Sequence, residues 1–431
     1  MNLADRLRGV VRPQPLTQLL SRDAAENIDE TLDGEWREAG GQRYLVIDRT
    51  YSPGYRHGRV CIADCLPSPD GWPGLEILAD PRRPGVGAPD AKLLFFDLET
   101  TGLAGGAGTY AFLAGCGWFD EGTFRTRQFF LSSFAAERVL LEALGGLAGA
   151  SGALVTYNGK TFDVPLIDTR FLYHRLATPF PDLAHVDMLH SARRLWRSDD
   201  EEGALQGSCR LIALEQSLLG HEREGDVPGF EIPSRYFHFV RTSDARPLQA
   251  VLEHNRLDLI SLAMLTARAA HLLAQGADAA ATAREALGLG RLYERARRHS
   301  AAQICYARAT TFPADTLTQA EAFRALALLC RRQRRYEAAA DAWRQLLDLR
   351  RCPPAFAREA TEALAVHHEH RLRDLQSART FALRSLGFLP AEAGSHAPAA
   401  RSLRRTEALH HRLARLNRKL GHTQADPAPL F

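Results

Sequence analysis

Asp97 and Glu99 are the residues most suited to chemistry, and they sit one residue apart in Leu93–Gly102, LLFFDLETTG. Four apolar residues lead into the pair, and Thr-Thr-Gly closes it, which reads as a strand buried on both faces. Alternate residues of a strand project to the same side, so both carboxylates leave the strand end together. Two acids that close repel, and each costs free energy to bury. A bound divalent cation is the usual compensation. Taken alone, the pair also suits a strand that ends in solvent.

Two further segments supply acids at telling positions. In Leu154–Asp163, LVTYNGKTFD, a strand ends near Tyr157, Asn158-Gly159 makes a tight turn, and Asp163 opens a helix. An acid there also suits the helix dipole, so Asp163 alone is equally a helix-start residue. In Glu253–Asp258, EHNRLD, His254 and Asp258 are four apart and share a helical face. Alone, that pair is also an ordinary surface pair.

The elements that must position these groups follow from apolar periodicity. Leu93–Asp97 is expected as a strand, with Tyr110–Phe119 and Phe124–Leu131 as two more across an Asp120-Glu121-Gly122 turn. Phe134–Leu147 has helical spacing, Ala153–Tyr157 is a short strand, Asp163–Leu176 a helix, and His185–Leu189 a short strand holding Asp187. Helices are expected at 210–219 and 247–273. Three strands in a meander followed by alternating helix and strand is the order of an α/β ribonuclease H-like fold, a mixed sheet flanked by helices.

Ahead of this domain, 36–63 contains the runs Tyr44–Ile47 and Val60–Ala63, read as a small hairpin-like unit, and a Pro-rich linker follows from Leu66 to Pro89. After about residue 280 the strand signal stops. Leu289-Gly290-x-x-Tyr293 with Ala302, Tyr306 and Ala309 returns as Leu326-Ala327-x-x-Cys330 with Ala339, Trp343 and Leu346. A weaker copy begins at Ala365. The pattern resembles a tetratricopeptide array, an all-α domain of helical hairpins, with a repeat slightly longer than that family's. The expected domains are a 1–90 extension, a 91–275 ribonuclease H-like domain, 280–420 helical repeats and a flexible 421–431 tail.

Together the acidic segments resemble the DEDD superfamily of 3′–5′ exonucleases. Asp97, Glu99, Asp163 and Asp258 fall on its four carboxylates one for one. The likeness is greatest to the YprB-like ribonuclease H-fold proteins. FFDLETTGLAGGAGTYAFLAG, LVTYNGKTFDVPLIDTRF, HVDMLHSARRLW, DVPGFEIPSRYF and LEHNRLDLISL look like that family's blocks, in its order, over about residues 90–270. The resemblance implies two Mg²⁺ or Mn²⁺ ions, one held by Asp97, Glu99 and Asp258 and the other by Asp97 and Asp163. It implies that His254 orients or deprotonates the attacking water. The His254-to-Asp258 interval departs from the family's usual His-type motif by one residue and matches its Tyr-type motif. Hard dications want oxygen ligands, and four carboxylates offset two of them in formal charge.

Nucleic-acid contacts are expected from Thr100, Gly106, Asn158, Lys160, Arg193, Arg194 and Trp196, the basic residues meeting phosphates and the Trp stacking a base. A solvated helix face with a buried Trp explains Lys160, Arg193, Arg194 and Trp196 equally well. Gly105, Gly106 and Gly108 lack the following lysine of a P-loop. Asp187 is a candidate supporting acid, and Asp168 is expected to pair with an arginine.

With 54 basic and 51 acidic residues the net charge is +3, which neither demands nor excludes nucleic acid. Seven scattered cysteines without ligand spacing read as free thiols in a reducing compartment. The N-terminus has no long apolar core of a secretory signal and no stretch approaches the apolar length of a membrane span, so a cytoplasmic location is expected. The function expected is a metal-dependent 3′–5′ exonuclease acting on single-stranded 3′ ends, with a protein partner for the repeats. The rival is a weak or inactive nuclease-fold scaffold that binds nucleic acid or protein through its repeats.

Overall fold

The structure, a computed structural model, describes residues 28–79, 86, 92–102, 108–197, 209–388 and 399–424, with the side chains of 399–405 and 422–424 aside. Gly105, Gly106, most of the Pro-rich linker after Ala79 and the expected tail beyond Gln424 lie outside the described residues. The chain divides into two compact units, Met1–Arg193 with Arg197–Ala274, and Arg194–Trp196 with Gln275–Phe431.

The first unit is built on a seven-stranded sheet. In chain order its strands are β1 (Glu35–Ala39), β2 (Gln42–Tyr51), β5 (Leu93–Thr100), β6 (Ala111–Asp120), β7 (Thr123–Phe130), β8 (Ala153–Thr156) and β9 (Ala184–Asp187). A separate two-residue ribbon pairs β3 (Arg56–His57) with β4 (Val60–Cys61). The spatial order is β1-β2-β7-β6-β5-β8-β9, antiparallel up to β5 and parallel from β5 through β8 to β9. This is the mixed sheet of the expected fold. Leu93–Phe96 are buried on both faces, which explains the unbroken apolar run before Asp97. The β6–β7 connection puts Glu121 at φ 47° and Gly122 at φ 77°, the two left-handed residues a tight hairpin turn needs.

Helices Glu137–Gly149, Asp163–Tyr173 and Ile232–Thr242 share one apolar core with the sheet. Tyr236 stacks on Phe112 with ring centroids 4.1 Å apart, and its hydroxyl donates to the Leu131 carbonyl at 3.0 Å. Helix Gln249–Gln275 buries eighteen of its side chains, and this corrects one expectation. It is long and apolar enough to cross a membrane by length and composition, yet 78% of its apolar window is buried inside the protein, as in a core helix.

The small β-unit expected over 36–63 is also corrected. Tyr44–Ile47 belongs to β2, whose partners are β1 and β7, so the segment extends the main sheet. Val60 and Cys61 pair with Arg56 and His57 instead. Register settled the choice: β2 offers a ten-residue strand to the otherwise open edge of β7, which outweighs any short local pairing.

Among the described residues the second unit contains three helical hairpins: Ala283–Arg295 with His299–Thr311, Thr316–Arg332 with Tyr336–Asp348, and Pro354–His367 with Leu375–Leu386. Small residues set the spacing within them. A Cβ on Gly290 would lie 2.4 Å from the Tyr306 ring. A π-helical turn, His368–Leu372, lengthens the third hairpin. Helix Ala399–Gln424 follows it and is anchored by Arg412, Arg415 and Lys419 on the buried Glu369 carboxylate.

Candidate metal centre

Each acid reaches its place for a local reason. Asp97 and Glu99 leave the end of β5 on one side, with buried Leu98 between them. Asp163 follows the turn after β8, where Asn158 adopts φ 68° and a Cβ on Gly159 would lie 2.5 Å from Thr156. Buried Asp187, at the end of β9, accepts the Asn158 and Lys160 backbone N–H groups at 2.9 and 3.1 Å. That fixes the turn from which helix Asp163–Tyr173 departs. Asp187 therefore supports the site through backbone. His254, Asn255 and Asp258 come from helix Gln249–Gln275, and helical spacing turns them to one face.

Asp97, Glu99, Asp163, His254 and Asp258 line one cleft of about 890 Å³, together with Thr100, Phe162, Phe230 and Ile232. The electrostatics of the cleft are those of crowded acids. Burial lifts the Asp97 carboxyl well above the usual carboxylate range, and the charges of Asp258, Glu99 and Asp163 add to it against one Asn255 hydrogen bond. Glu99 is likewise raised by burial and then by Asp258, Asp163 and Asp226. Asp163 is pushed up to about 7, chiefly by burial and then by Asp187 and Asp258, with its backbone hydrogen bond pulling the other way. Groups so arranged favour either protons or a hard cation, and an all-oxygen donor set fits Mg²⁺ or Mn²⁺.

Four residues that the sequence reading passed over, Asn255, Gly115, Asp226 and Arg223, hold this arrangement. Asn255 donates to Asp97 Oδ2 at 2.7 Å and accepts from Gln128 Nε2 at 2.8 Å. Gly115, opposite Asp97 in β6, makes the room: its Cβ would lie 2.2 Å from Asn255 Oδ1. Asp226 accepts from His254 Nδ1 at 2.7 Å, which leaves His254 Nε2 3.7 Å from Asp258 Oδ2. Arg223, its side chain 3% exposed, donates at 2.6 Å both to Asp258 Oδ1 and to Glu215 Oε2, and lies 3.3 Å from Asp226 Oδ2. Asp226 opens the stretch DVPGFEIPSRYF and Asn255 follows His254, but neither has a periodicity that singles it out.

Behind Arg223, the atoms of His57, Glu215 and His221 come within 4.8 Å of one another, a spacing that a metal ion can use. The two imidazoles are stacked at 3.8 Å, and an ion cannot lie in both nearly parallel ring planes at ligand distance. Glu215 is also engaged by Arg223 and by Ser261 at 2.7 Å. Burial opposes its charge, but the hydrogen bonds of His57, Arg223 and Ser261 with the Arg223 charge bring it down to about 2. This cluster is a buried support for Asp258.

The remaining expected contacts separate. Thr100 lines the acidic cleft. Asn158 and Arg193 line a neighbouring cavity of about 660 Å³ with Tyr157, Arg197 and Arg210. Lys160 lies on the turn that Asp187 holds. Arg194 and Trp196 belong to the second unit, where the Trp196 indole donates to Glu285 at 3.0 Å. Asp168 takes the Thr178 hydroxyl instead of the expected arginine, because the loop after its helix brings Thr178 within reach.

Comparison with known proteins agrees with the fold. Residues 94–270 match the RNase_H_2 family of the RNase_H superfamily. Over 330 residues the chain is 31% identical to "Uncharacterized protein YprB" of Bacillus subtilis (strain 168), a match spanning 76% of this chain and 75% of that protein.

Proposed function

We propose a function on one premise, that the chain belongs to the family of YprB and carries a ribonuclease H superfamily domain. The protein is a metal-dependent nuclease of the DEDD type that hydrolyses phosphodiesters from the 3′ end of single-stranded nucleic acid. One observation carries the reading: Asp97, Glu99, Asp163 and Asp258 face a single cleft in which their charges oppose one another. Two bound Mg²⁺ or Mn²⁺ ions would supply an activated water and stabilise the leaving oxygen.

The chain's own groups have distinct tasks. Asp97, Glu99 and Asp258 would hold one ion, and Asp97 and Asp163 would hold the other. Asn255 keeps one Asp97 oxygen fixed, so the carboxylate meets its ligand in a set orientation. A carboxylate accepts and does not donate, so Asp226 holds His254 with hydrogen on Nδ1 and Nε2 open to a water's proton. Phe162 and Phe230 stand on the cleft rim 55% and 81% exposed. Exposed aromatics beside a nuclease centre suit unpaired bases, which present a free π-face. The helical hairpins, read as tetratricopeptide-like, recruit the substrate or a protein partner.

The test is incubation of 5′-labelled DNA and RNA oligonucleotides with Mg²⁺ or Mn²⁺, with and without EDTA. A ladder shortening from the 3′ end, absent with EDTA and in Asp97→Asn, is the expected result. A second reading is a weakly active or inactive scaffold, favoured by the Arg223 guanidinium already on Asp258. An intact oligonucleotide under all metal conditions, bound but uncut, would support that reading.

A further inference from the structure

We propose that the turns inside the three helical hairpins form a phosphate-binding ridge for single-stranded nucleic acid, a site separate from the acidic cleft. The turns share one construction. Arg297, Arg334 and Arg373 each occupy the left-handed region, at φ 60°, 61° and 56°, between the end of one helix and the start of its partner. The following N–H bonds back to the preceding helix in each case: Arg298 to Tyr293 at 2.8 Å, Arg335 to Cys330 at 2.9 Å, and Asp374 to His368 at 2.9 Å.

Left-handed backbone favours glycine, because a Cβ crowds the following carbonyl oxygen there. The chain meets the same need with glycine elsewhere, at Gly220 and Gly276. Three equivalent turns keep arginine instead. Cations near a helix C-terminus suit its dipole, but arginines within the last helical turn already provide that. Among the described residues, the guanidiniums of Arg297, Arg334 and Arg373 make no hydrogen bond or ion pair, and all three are exposed.

The turns lie side by side. Arg332, at the end of the second hairpin's first helix, reaches Glu294 at the equivalent end in the first. Arg335 reaches Gln303. Arg371 lies 3.7 Å over the Tyr336 ring, joining the third turn to the second. The turn sequences are RARR at 295–298, RRQRR at 331–335 and RLR at 371–373. Their acids are engaged within the protein: Glu294 takes Arg332 and the Tyr306 hydroxyl, and Asp374 caps the Ser377 N–H. In a chain with a net charge of only +3, this is a concentrated basic edge. Arginine forks match phosphate oxygens, and stacked hairpins repeat that contact along a line, as a sugar-phosphate backbone does. That the polyanion is a nucleic acid rests on the nuclease reading above.

The test uses the full chain in EDTA, where no turnover occurs, with a long fluorescein-labelled single strand of DNA or RNA and anisotropy as the readout. The variant R297G/R334G/R373G suits the backbone of all three turns, so its helicity and melting should match wild type. Its affinity should fall at least about tenfold, and the slope of log K against log salt should shrink by about 2, the value for three phosphate contacts on a single strand. The triple lysine variant should keep most of the affinity, since a point charge also pairs with phosphate. Unchanged affinity and slope in the glycine variant would overturn the ridge, as would tighter wild-type binding to an acidic peptide. Cleavage of a short oligonucleotide with Mn²⁺ separates the two readings: its absence with binding intact defeats the nuclease alone, and its presence with unaltered anisotropy defeats the ridge alone.

Discussion

The Asn255 amide donates to Asp97 Oδ2 at 2.7 Å from a helix that reaches β5 only because position 115 has no side chain. The contact fixes a carboxylate that repulsion would otherwise push aside. Gly115→Ala should therefore disturb the site without touching an acid. A Cβ 2.2 Å from Asn255 Oδ1 must displace that side chain, breaking its bonds to Asp97 and Gln128. Expected are a loss of about 1–3 kcal/mol in chemical denaturation and weaker Mn²⁺ binding by calorimetry. Wild-type Mn²⁺ affinity in this variant would remove Asn255 from the site.

The crowded acids predict that the site destabilises the metal-free protein. Asp163 titrates near 7 in the fold against about 3.9 for an unperturbed Asp, so the folded state binds the extra proton between these values. Stability is then fully present below about pH 4 and is lost as pH rises through about 7. Asp97→Asn removes the central charge and should raise the melting temperature of the metal-free protein at pH 8. Mn²⁺ should raise the wild-type melting temperature strongly and that of the variant little. Equal metal shifts in both proteins would place the ion elsewhere.

Arg223 is the buried cation on which Glu215 and Asp258 both depend. Arg223→Gln leaves two acids without their partner and should cost roughly 3–5 kcal/mol in urea unfolding. Glu215, held at about 2, contributes stability that is present above its unfolded value of about 4.3 and lost as pH falls toward 2. The variant should lose that acid-side dependence. Glu215→Gln added to it should recover part of the stability. If the single variant unfolds like wild type, the pair carries little.

How much of this the sequence revealed depended on distance along the chain. β5, the β6–β7 hairpin and helix Gln249–Gln275 were legible because local apolar runs and turn residues specify them. Asp97 and Glu99 end such an element and Asp163 begins one, whereas Asp258 stood out only by its helical spacing from His254. The β2–β7 pairing was not, since nothing local tells a strand which edge it will cover. Arg223, Glu215 and Asp226 lie in or beside an irregular segment, where charge looks solvated until a distant helix packs on it. Asn255 and Phe230 were within reach but carried no periodicity of their own.

Phe162 and Phe230 predict how the substrate is held. Stacking on an aromatic is worth about 1–3 kcal/mol per base, so Phe230→Ala should raise KM for a single strand about five- to a hundredfold with little change in kcat. The ring is 81% exposed, and its removal should leave the melting temperature unaltered. Crystals or crosslinking with a short oligonucleotide would locate the base. An unchanged KM on single strands would mean the rim does not stack.

His254 gives the sharpest test of the chemistry. Its Nδ1 is 2.7 Å from Asp226 Oδ1, and its Nε2 opens toward Asp258 at 3.7 Å. If it takes the proton of the attacking water, His254→Ala should lower single-turnover cleavage by about 10²–10⁴ with Mn²⁺ affinity nearly intact. Asp226→Asn should also slow cleavage, because an amide no longer requires hydrogen on Nδ1, and this loss should be smaller than that of the alanine variant. His254→Tyr separates the two roles that the spacing to Asp258 permits: a positioned hydroxyl can orient water but is a poor base near neutral pH. Substantial activity in that variant would make the residue an orienter. A His254→Ala protein that cleaves at the wild-type rate across the pH range would show that the imidazole only packs beneath the cleft.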